Sequence, residues 1–265
     1  MATHAPNPPT QAQRAALQNR PDRYPVMRQQ WAGLAFFHWR VDADVIAARL
    51  PDGLHVDTFD GSAWLGVVPF FMRRVRPVLL PPVPWLSWFL ELNVRTYVYD
   101  DQGRAGVWFF SLDCNQPVAV KVARRFFHLP YEHAVMRAVR GADGSVSYTC
   151  RRKGEAEAAR CRYPDAGGLA ARPAEPGTLE WFLAERYLLF SADRRGRIFT
   201  GRVHHEPYRV AAVDPADCPG DALPIAWDGF ELPTGLPDST LVAEPLDVRI
   251  FPLASKQCPA SARSQ

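Results

Sequence analysis

Four turn signals punctuate the chain, and each separates two β-rich runs. Asp60-Gly61 lies between LHVDTF and SAWLGVVPFFM, and Asp100-Asp101-Gln102-Gly103 between ELNVRTYVY and AGVWFFSLD. Gly141-Ala142-Asp143-Gly144 lies between YEHAVMRAVR and SVSYTCRR, and Asp193-Arg194-Arg195-Gly196 between YLLFSA and RIFTGRVHHEPY. A short polar, Gly-containing turn reverses the chain and pairs its two arms antiparallel. Parallel strands need crossovers of a dozen or more residues, usually helical, and the helical signals here are short. They are DADVIAARL, capped by Asp42 or Asp44 and stopped at Pro51, then QPVAVKVARRFF, with an apolar stripe of Val118, Val122 and Phe126, and LEWFLAERY after Gly177-Thr178. The expected class is α+β, mainly antiparallel β: a curved sheet or barrel with a few packed helices.

Two runs sharpen that expectation. Trp64 to Met72 is apolar at both parities, as in a strand covered on both faces. In ELNVRTYV, Leu92, Val94, Thr96 and Val98 share one face while Glu91, Asn93, Arg95 and Tyr97 share the other. That pattern fits core against solvent, or core against a polar cavity. A weak alternation over 154–163 and the run LDVRIF add further strands.

With 265 residues, 47% of them apolar and 12% aromatic, the chain can bury a substantial core. Residues 1–25, rich in Pro, Ala, Gln and Asn, read as a mobile lead-in, 26–252 as one domain, and 253–265 as a flexible tail. A net charge of +3 is too mild to indicate nucleic acid. Five cysteines, an odd number without CxxC spacing, suit a reducing compartment. No apolar run approaches a membrane span and the N-terminus shows no signal segment, so the expectation is a cytoplasmic protein without a membrane partner, and a homo-oligomer is an open option.

Among chemistry-bearing residues, Arg95 would pair with a carboxylate if its face lines a cavity, with Glu91 and Asn93 beside it; on a solvated face it is unremarkable. Glu185 and Arg186, adjacent at a helix-to-strand junction, suggest an ion pair fixing that turn. His204 and His205 are neighbours, so in a strand they face opposite ways and cannot hold one metal together. HExxH, GxSxG, Walker A and GxGxxG motifs are absent from the sequence, and neither a metal nor a cofactor is expected. Lysine occurs only at 121, 153 and 256; Lys121 and Lys153 read as solvated surface. The loop PPVPWLSWF could serve as a lid or a contact surface.

Seven segments, taken in order, resemble one family. They are MRQQWAGLAFFHWRV (27–41), GLHVDTFDGSAWLGVVPFFM (53–72), ELNVRTYV (91–98), GVWFFSLD (106–113), ARRFFHLPYEHA (123–134), LEWFLAERYLLF (179–190) and GRVHHEPY (201–208). They look like the YqjF-like family of uncharacterised bacterial proteins. The resemblance implies an acetoacetate decarboxylase-like fold, a cone-like antiparallel β barrel with packed helices and an internal ligand cavity. In those decarboxylases the comparable helix-to-strand junction carries Gly-aromatic-Pro-Lys-Lys; the first lysine forms a Schiff base and the second depresses its pKa. Here the junction reads His128-Leu129-Pro130-Tyr131-Glu132. The match puts Tyr131 in place of the nucleophile and Glu132 in place of its neighbour. A phenol forms no imine, and a carboxylate raises rather than lowers a nearby amine's pKa. Schiff-base decarboxylation is therefore not expected.

By the same resemblance Tyr131 is the first candidate for a cavity residue, acting as general acid or hydrogen-bond donor, or simply packing in the wall. Glu132, His133 and His128 surround it in sequence as weaker candidates. The implied function is a cavity that holds a small organic acid or carbonyl compound and runs a lyase, hydratase or isomerase step by acid–base chemistry. The alternative is a non-catalytic binding or sensor protein on a former decarboxylase scaffold.

Overall fold

The structure is a computed structural model describing residues 6–255. The tail expected to be flexible lies, from residue 256 on, outside the described residues, as do residues 1–5 of the lead-in.

The strands are β1 (Met27–Ala32), β2 (Leu34–Val41), β3 (Leu54–Val56), β4 (Ala63–Pro77), β5 (Phe89–Asp100), β6 (Ala105–Cys114), β7 (Tyr131–Arg140) and β8 (Ser145–Arg152). They continue with β9 (Ala159–Pro164), β10 (Arg172–Pro173), β11 (Leu188–Ala192), β12 (Ile198–His204), β13 (Arg209–Val213), β14 (Ser239–Ala243), β15 (Leu246–Ile250) and β16 (Ala254–Ser255). The helices are α1 (Gln11–Ala16), α2 (Ala43–Ala47), α3 (Pro117–Val122), α4 (Leu179–Ala184) and α5 (Leu223–Trp227).

One circuit of pairings organises the molecule. β4 pairs β5, β5 pairs β6, β6 pairs β11, β11 pairs β12, β12 pairs β15, β15 pairs β1, and β1 returns to β4. The sheet thus curls into a ring that leaves these strands without a free edge. Two wings leave the ring: β7–β8–β9 through β6, and β2–β14–β13–β10 through β4. The hairpins at 100–103, 141–144 and 193–196 form as expected. The sheet is mixed, however: β6 meets β11 and β7 in parallel. Helix α3 is the crossover between the parallel β6 and β7, and α4 leads into β11.

The Asp60-Gly61 hairpin is a correction. The tight turn exists, with φ of 49° and 76° at its two central residues and Phe59 bridged to Ser62. Its first arm then leaves. β3 pairs β5 instead of β4, because Leu54 packs with Val98 and Leu188 and the Asp57 amide donates to the Tyr97 carbonyl. The lead-in also carries more than composition suggests. Thr10 and Gln13 form a capping box at the start of α1, and Arg14 reaches the buried Asp57.

The alternating β5 separates two apolar layers. Leu92 and Val94 pack with residues of β8, β9 and α5 outside the ring, whereas Glu91 and Arg95 point to its interior. Both faces are therefore covered, and the polar face is that of a cavity.

Candidate functional site

The ring encloses a cavity of about 350 Å³, lined mainly by apolar side chains such as Met72, Phe89, Phe109, Leu112 and Leu188. Its polar lining comes from Gln29, Arg76, Glu91, Arg95, Tyr131, Arg186 and Tyr208. It reaches the surface beside Val118 and Val122, which line it yet remain 39% and 38% exposed.

Tyr131 enters the cavity because β7 starts directly after a left-handed residue. His128 has φ 51° and ends the π-helical turn 123–127, and Pro130 restarts an extended chain. β7 then aligns Tyr131 with Leu112 of β6, which itself faces Asn93 of β5. Across that row the Tyr131 hydroxyl donates to Glu91 Oε2 at 2.7 Å. Both residues are buried. Burial raises the Glu91 carboxyl from 4.5 to about 7, although the tyrosine bond pulls it down. Burial and the Glu91 charge together hold Tyr131 well above the usual phenol range. The pair is a carboxyl poised near neutrality against a phenol that keeps its proton, suited to passing a proton to or from a bound molecule.

At the other end lies a cation with neutral partners. Arg95 is buried, and its Nη2 donates to the Leu183 carbonyl at 3.0 Å and to the Tyr97 hydroxyl at 3.2 Å, while its Nε has no partner. Leu183 O belongs to the end of α4, where carbonyls lack intrahelical donors. Arg186 caps the same end: Nε donates to Phe182 O at 2.8 Å and Nη1 to Asp57 Oδ2 at 2.9 Å, leaving Nη2 without a partner. The expected Glu185–Arg186 ion pair is not formed. Glu185 instead accepts from the Tyr187 hydroxyl and, at 2.8 Å, from the Tyr208 amide. Arg186 faces the cavity, a role that no local signal marked. Both guanidiniums stack on aromatic rings, Arg95 5.2 Å from the Phe36 centroid and Arg186 4.2 Å from that of Phe182.

The remaining candidates lie elsewhere. Asn93 is buried outside the cavity lining, its Oδ1 without a partner. Glu132 points away from Tyr131, as strand alternation requires, and pairs with Arg124 at 2.8 Å. His133 is half-buried on β7 off the lining, and His128 packs its ring 4.8 Å from Phe199. His205 is buried among Trp31, Tyr187 and Tyr208, and burial lowers it to about 4. Lys121 and Lys153 are exposed, and no lysine lines the cavity among the described residues. From the loop PPVPWLSWF, Leu86 contributes to the wall while Trp85 and Trp88 stay exposed. No helix is long and apolar enough to cross a membrane among the described residues.

A family model for uncharacterized conserved proteins, DUF2071, matches residues 28–247. The chain belongs to the DUF2071 family. Within the range of that family, it is 39% identical over 189 residues to the uncharacterized protein YqjF of Bacillus subtilis, covering 71% of this chain and 76% of the relative. Solved structures share the fold at low identity. An acetoacetate decarboxylase-like enzyme from Sphingomonas wittichii RW1 superposes with a TM-score of 0.59 and 15% identity, over 88% of this chain and 94% of that one. The enduracididine biosynthesis enzyme MppR complexed with pyruvate gives 0.60 and 14%, over 89% and 93%. Acetoacetate decarboxylase from Legionella pneumophila gives 0.57 and 11%, over 91% and 93%. The family member described here thus has the acetoacetate decarboxylase-like fold.

The Glu91 shift carries a pH dependence. A folded-state value of about 7 above an unfolded value of 4.5 means the folded protein holds a proton that the unfolded chain has released. The contribution is fully present below pH 4.5 and is lost as pH rises to about 7, a change on the order of 3 kcal/mol. Asp113, raised by burial to about 6, acts in the same direction. Urea unfolding at intervals from pH 4.5 to 8 should therefore show the stability of the parent relative to Glu91→Gln falling as pH rises, while the buried His205 acts in the opposite direction, and equally, in both proteins. Identical slopes in the two proteins would show that Glu91 titrates normally.

Proposed function

We propose that the ring cavity binds an organic acid, its carboxylate held by Arg95 with Arg186 beside it, and that Glu91 and Tyr131 carry out acid–base chemistry on the bound molecule. The observation that carries this reading is Arg95: a buried cation that lines the cavity and whose hydrogen-bond partners are all neutral. A buried charge without a counter-ion is costly, and a bound carboxylate would supply both charge and acceptors. The chemistry fits proton transfer of the lyase, hydratase or isomerase kind. Imine chemistry is disfavoured because no lysine lines the cavity among the described residues, in keeping with the sequence resemblance that matches Tyr131 and Glu132 to the lysine pair of the decarboxylases.

A second reading, a binding or sensor protein without turnover, draws support from the mainly apolar lining. The two separate experimentally. Small oxo, hydroxy and unsaturated acids are screened by thermal shift, where ligand at a hundred times Kd stabilises by about 2.7 kcal/mol. Acids that bind are then followed for turnover. Tyr131→Phe should cut turnover about 100-fold or more and, because it leaves the buried Glu91 carboxyl without its donor, lower the stability of the free protein by about 1–3 kcal/mol. Bound acid with no turnover in the parent protein favours the sensor. A borohydride-trapped adduct with an oxo acid on an interior lysine would refute the lysine-independent reading.

A further inference from the structure

We propose that the acid held at Arg95 is an amphiphile, a carboxylic acid bearing an apolar chain of about eight to twelve carbons, rather than an acid of three or four. This rests on the acid-binding reading above and specifies the part of the ligand which that reading leaves open.

Size is the first argument. At about 30 Å³ per water, 350 Å³ holds roughly a dozen water-sized groups. A three-carbon oxo acid fills about half of that. The remaining space would have to hold water against Met72, Phe89 and Leu112, which offer it no hydrogen bonds. Apolar walls favour an apolar occupant.

Polarity along the cavity is the second. Arg95 lies opposite Gly66 and Phe89 opposite Met72, so six residues of β5, about 20 Å, separate the cationic end from the level of Phe89. The two orphan donors, Arg95 Nε and Arg186 Nη2, sit on side chains that meet at the end of α4 and are shielded from water. Toward the mouth, Glu91 and Tyr131 are bonded to each other. An acid entering tail-first would place its carboxylate away from both guanidiniums, among apolar walls. Head-first entry brings the carboxylate to the Arg95 guanidinium and lays the chain along the apolar stretch.

The mouth is the third. Val118 and Val122 line it on α3, and the next turn adds Phe127. Trp85, 67% exposed, is tied to the same helix by the Gln116 side chain, whose Nε2 donates to the Trp85 carbonyl at 2.9 Å. A small polar acid needs no such rim. A hydrocarbon chain gains from one at every stage of entry.

Calorimetric titration of the full chain with pyruvate, butanoate, octanoate, decanoate and 1-decanol tests the proposal. Each added methylene should tighten binding about three- to fourfold, so decanoate, with six more methylenes, should exceed butanoate by about 700-fold or more. 1-Decanol, without the charge, should bind at least about tenfold more weakly than decanoate. Ala119→Phe, which narrows the channel, should weaken decanoate about tenfold or more and leave butanoate nearly unchanged. Val122→Trp at the exposed mouth provides the same readout should Ala119→Phe fail to fold. Pyruvate or butanoate binding as tightly as decanoate would overturn the chain-length proposal and leave the acid reading intact. No binding by any acid, or equal affinity for decanoate and 1-decanol, would overturn both.

Discussion

Replacing Arg95 with Met is expected to leave the protein as stable as before, or up to about 2 kcal/mol more stable, while weakening acid binding about a hundredfold or more. The two effects have one cause. In the free protein Arg95 is a desolvated cation with only a carbonyl and a hydroxyl as partners. Removing it costs two hydrogen bonds to neutral groups, and the Leu183 carbonyl still accepts from the Tyr97 hydroxyl at 2.8 Å, so the end of α4 stays satisfied. Met fills much of the same space and packs on Phe36 without a charge to desolvate. With ligand bound the balance reverses, because the carboxylate loses its counter-charge. Urea unfolding with and without a binding acid measures both halves. A loss of more than about 2 kcal/mol in the free protein would show that Arg95 serves the fold rather than the ligand.

Local signals carried the fold further than the site. The turns at 100–103, 141–144 and 193–196 are specified by a few adjacent residues, and a hairpin needs no information from elsewhere. β3 shows the limit. Its turn chemistry is intact at Asp60-Gly61, but Leu54 and Asp57 find better partners on β5 and at Arg186 than on β4. No sequence window contains that competition. The short β13 and β14, RVAAV and STLVA, carry too little pattern to read without the neighbours that bury them.

The same division runs through the cavity. Alternation on β5 put Glu91 and Arg95 on one face, but only the closed ring shows that this face is interior. Val118, Val122 and Phe126 were legible as a helical stripe, but the structure places Val118 and Val122 at the cavity mouth and leaves Phe126 exposed off the lining, with Val120 as the buried residue. Arg186 was invisible because sequence adjacency suggested Glu185 as its partner. The real partner, Asp57, lies 129 residues away. Tyr208 follows His-His-Glu-Pro with nothing to mark it as lining. What such residues share is burial of polar atoms, a property of the assembled ring and not of any segment.

Asp57 is where the largest loss of stability is expected. It is 1% exposed and takes two guanidiniums: Arg14 from α1, in a fork with Nη2 on Oδ1 at 2.6 Å, and Arg186 from the end of α4, with Nη1 on Oδ2 at 2.9 Å. Asp57→Asn keeps the shape and removes the charge, leaving Arg186 buried with no anion, and should cost about 3–5 kcal/mol of unfolding free energy. Arg14→Met should cost clearly less, since Asp57 and Arg186 remain paired and Arg14 is the more exposed partner. The variants differ from the parent in a second way. α1 has no buried residue, and its neighbourhood is held by polar contacts: Arg14 to Asp57, the Tyr99 hydroxyl to Pro6 O at 3.0 Å, and Arg202 to Leu17 O and Asn19 O at 2.7 and 2.9 Å. Loss of the Arg14 contact in either variant should open the chain near α1 to limited proteolysis before global unfolding. Urea unfolding of the two single variants and the double variant gives the coupling directly. If Asp57→Asn proves no more damaging than Arg14→Met, Arg186 does not depend on Asp57 for its charge balance, and the ion triad is not what secures the cationic end of the cavity.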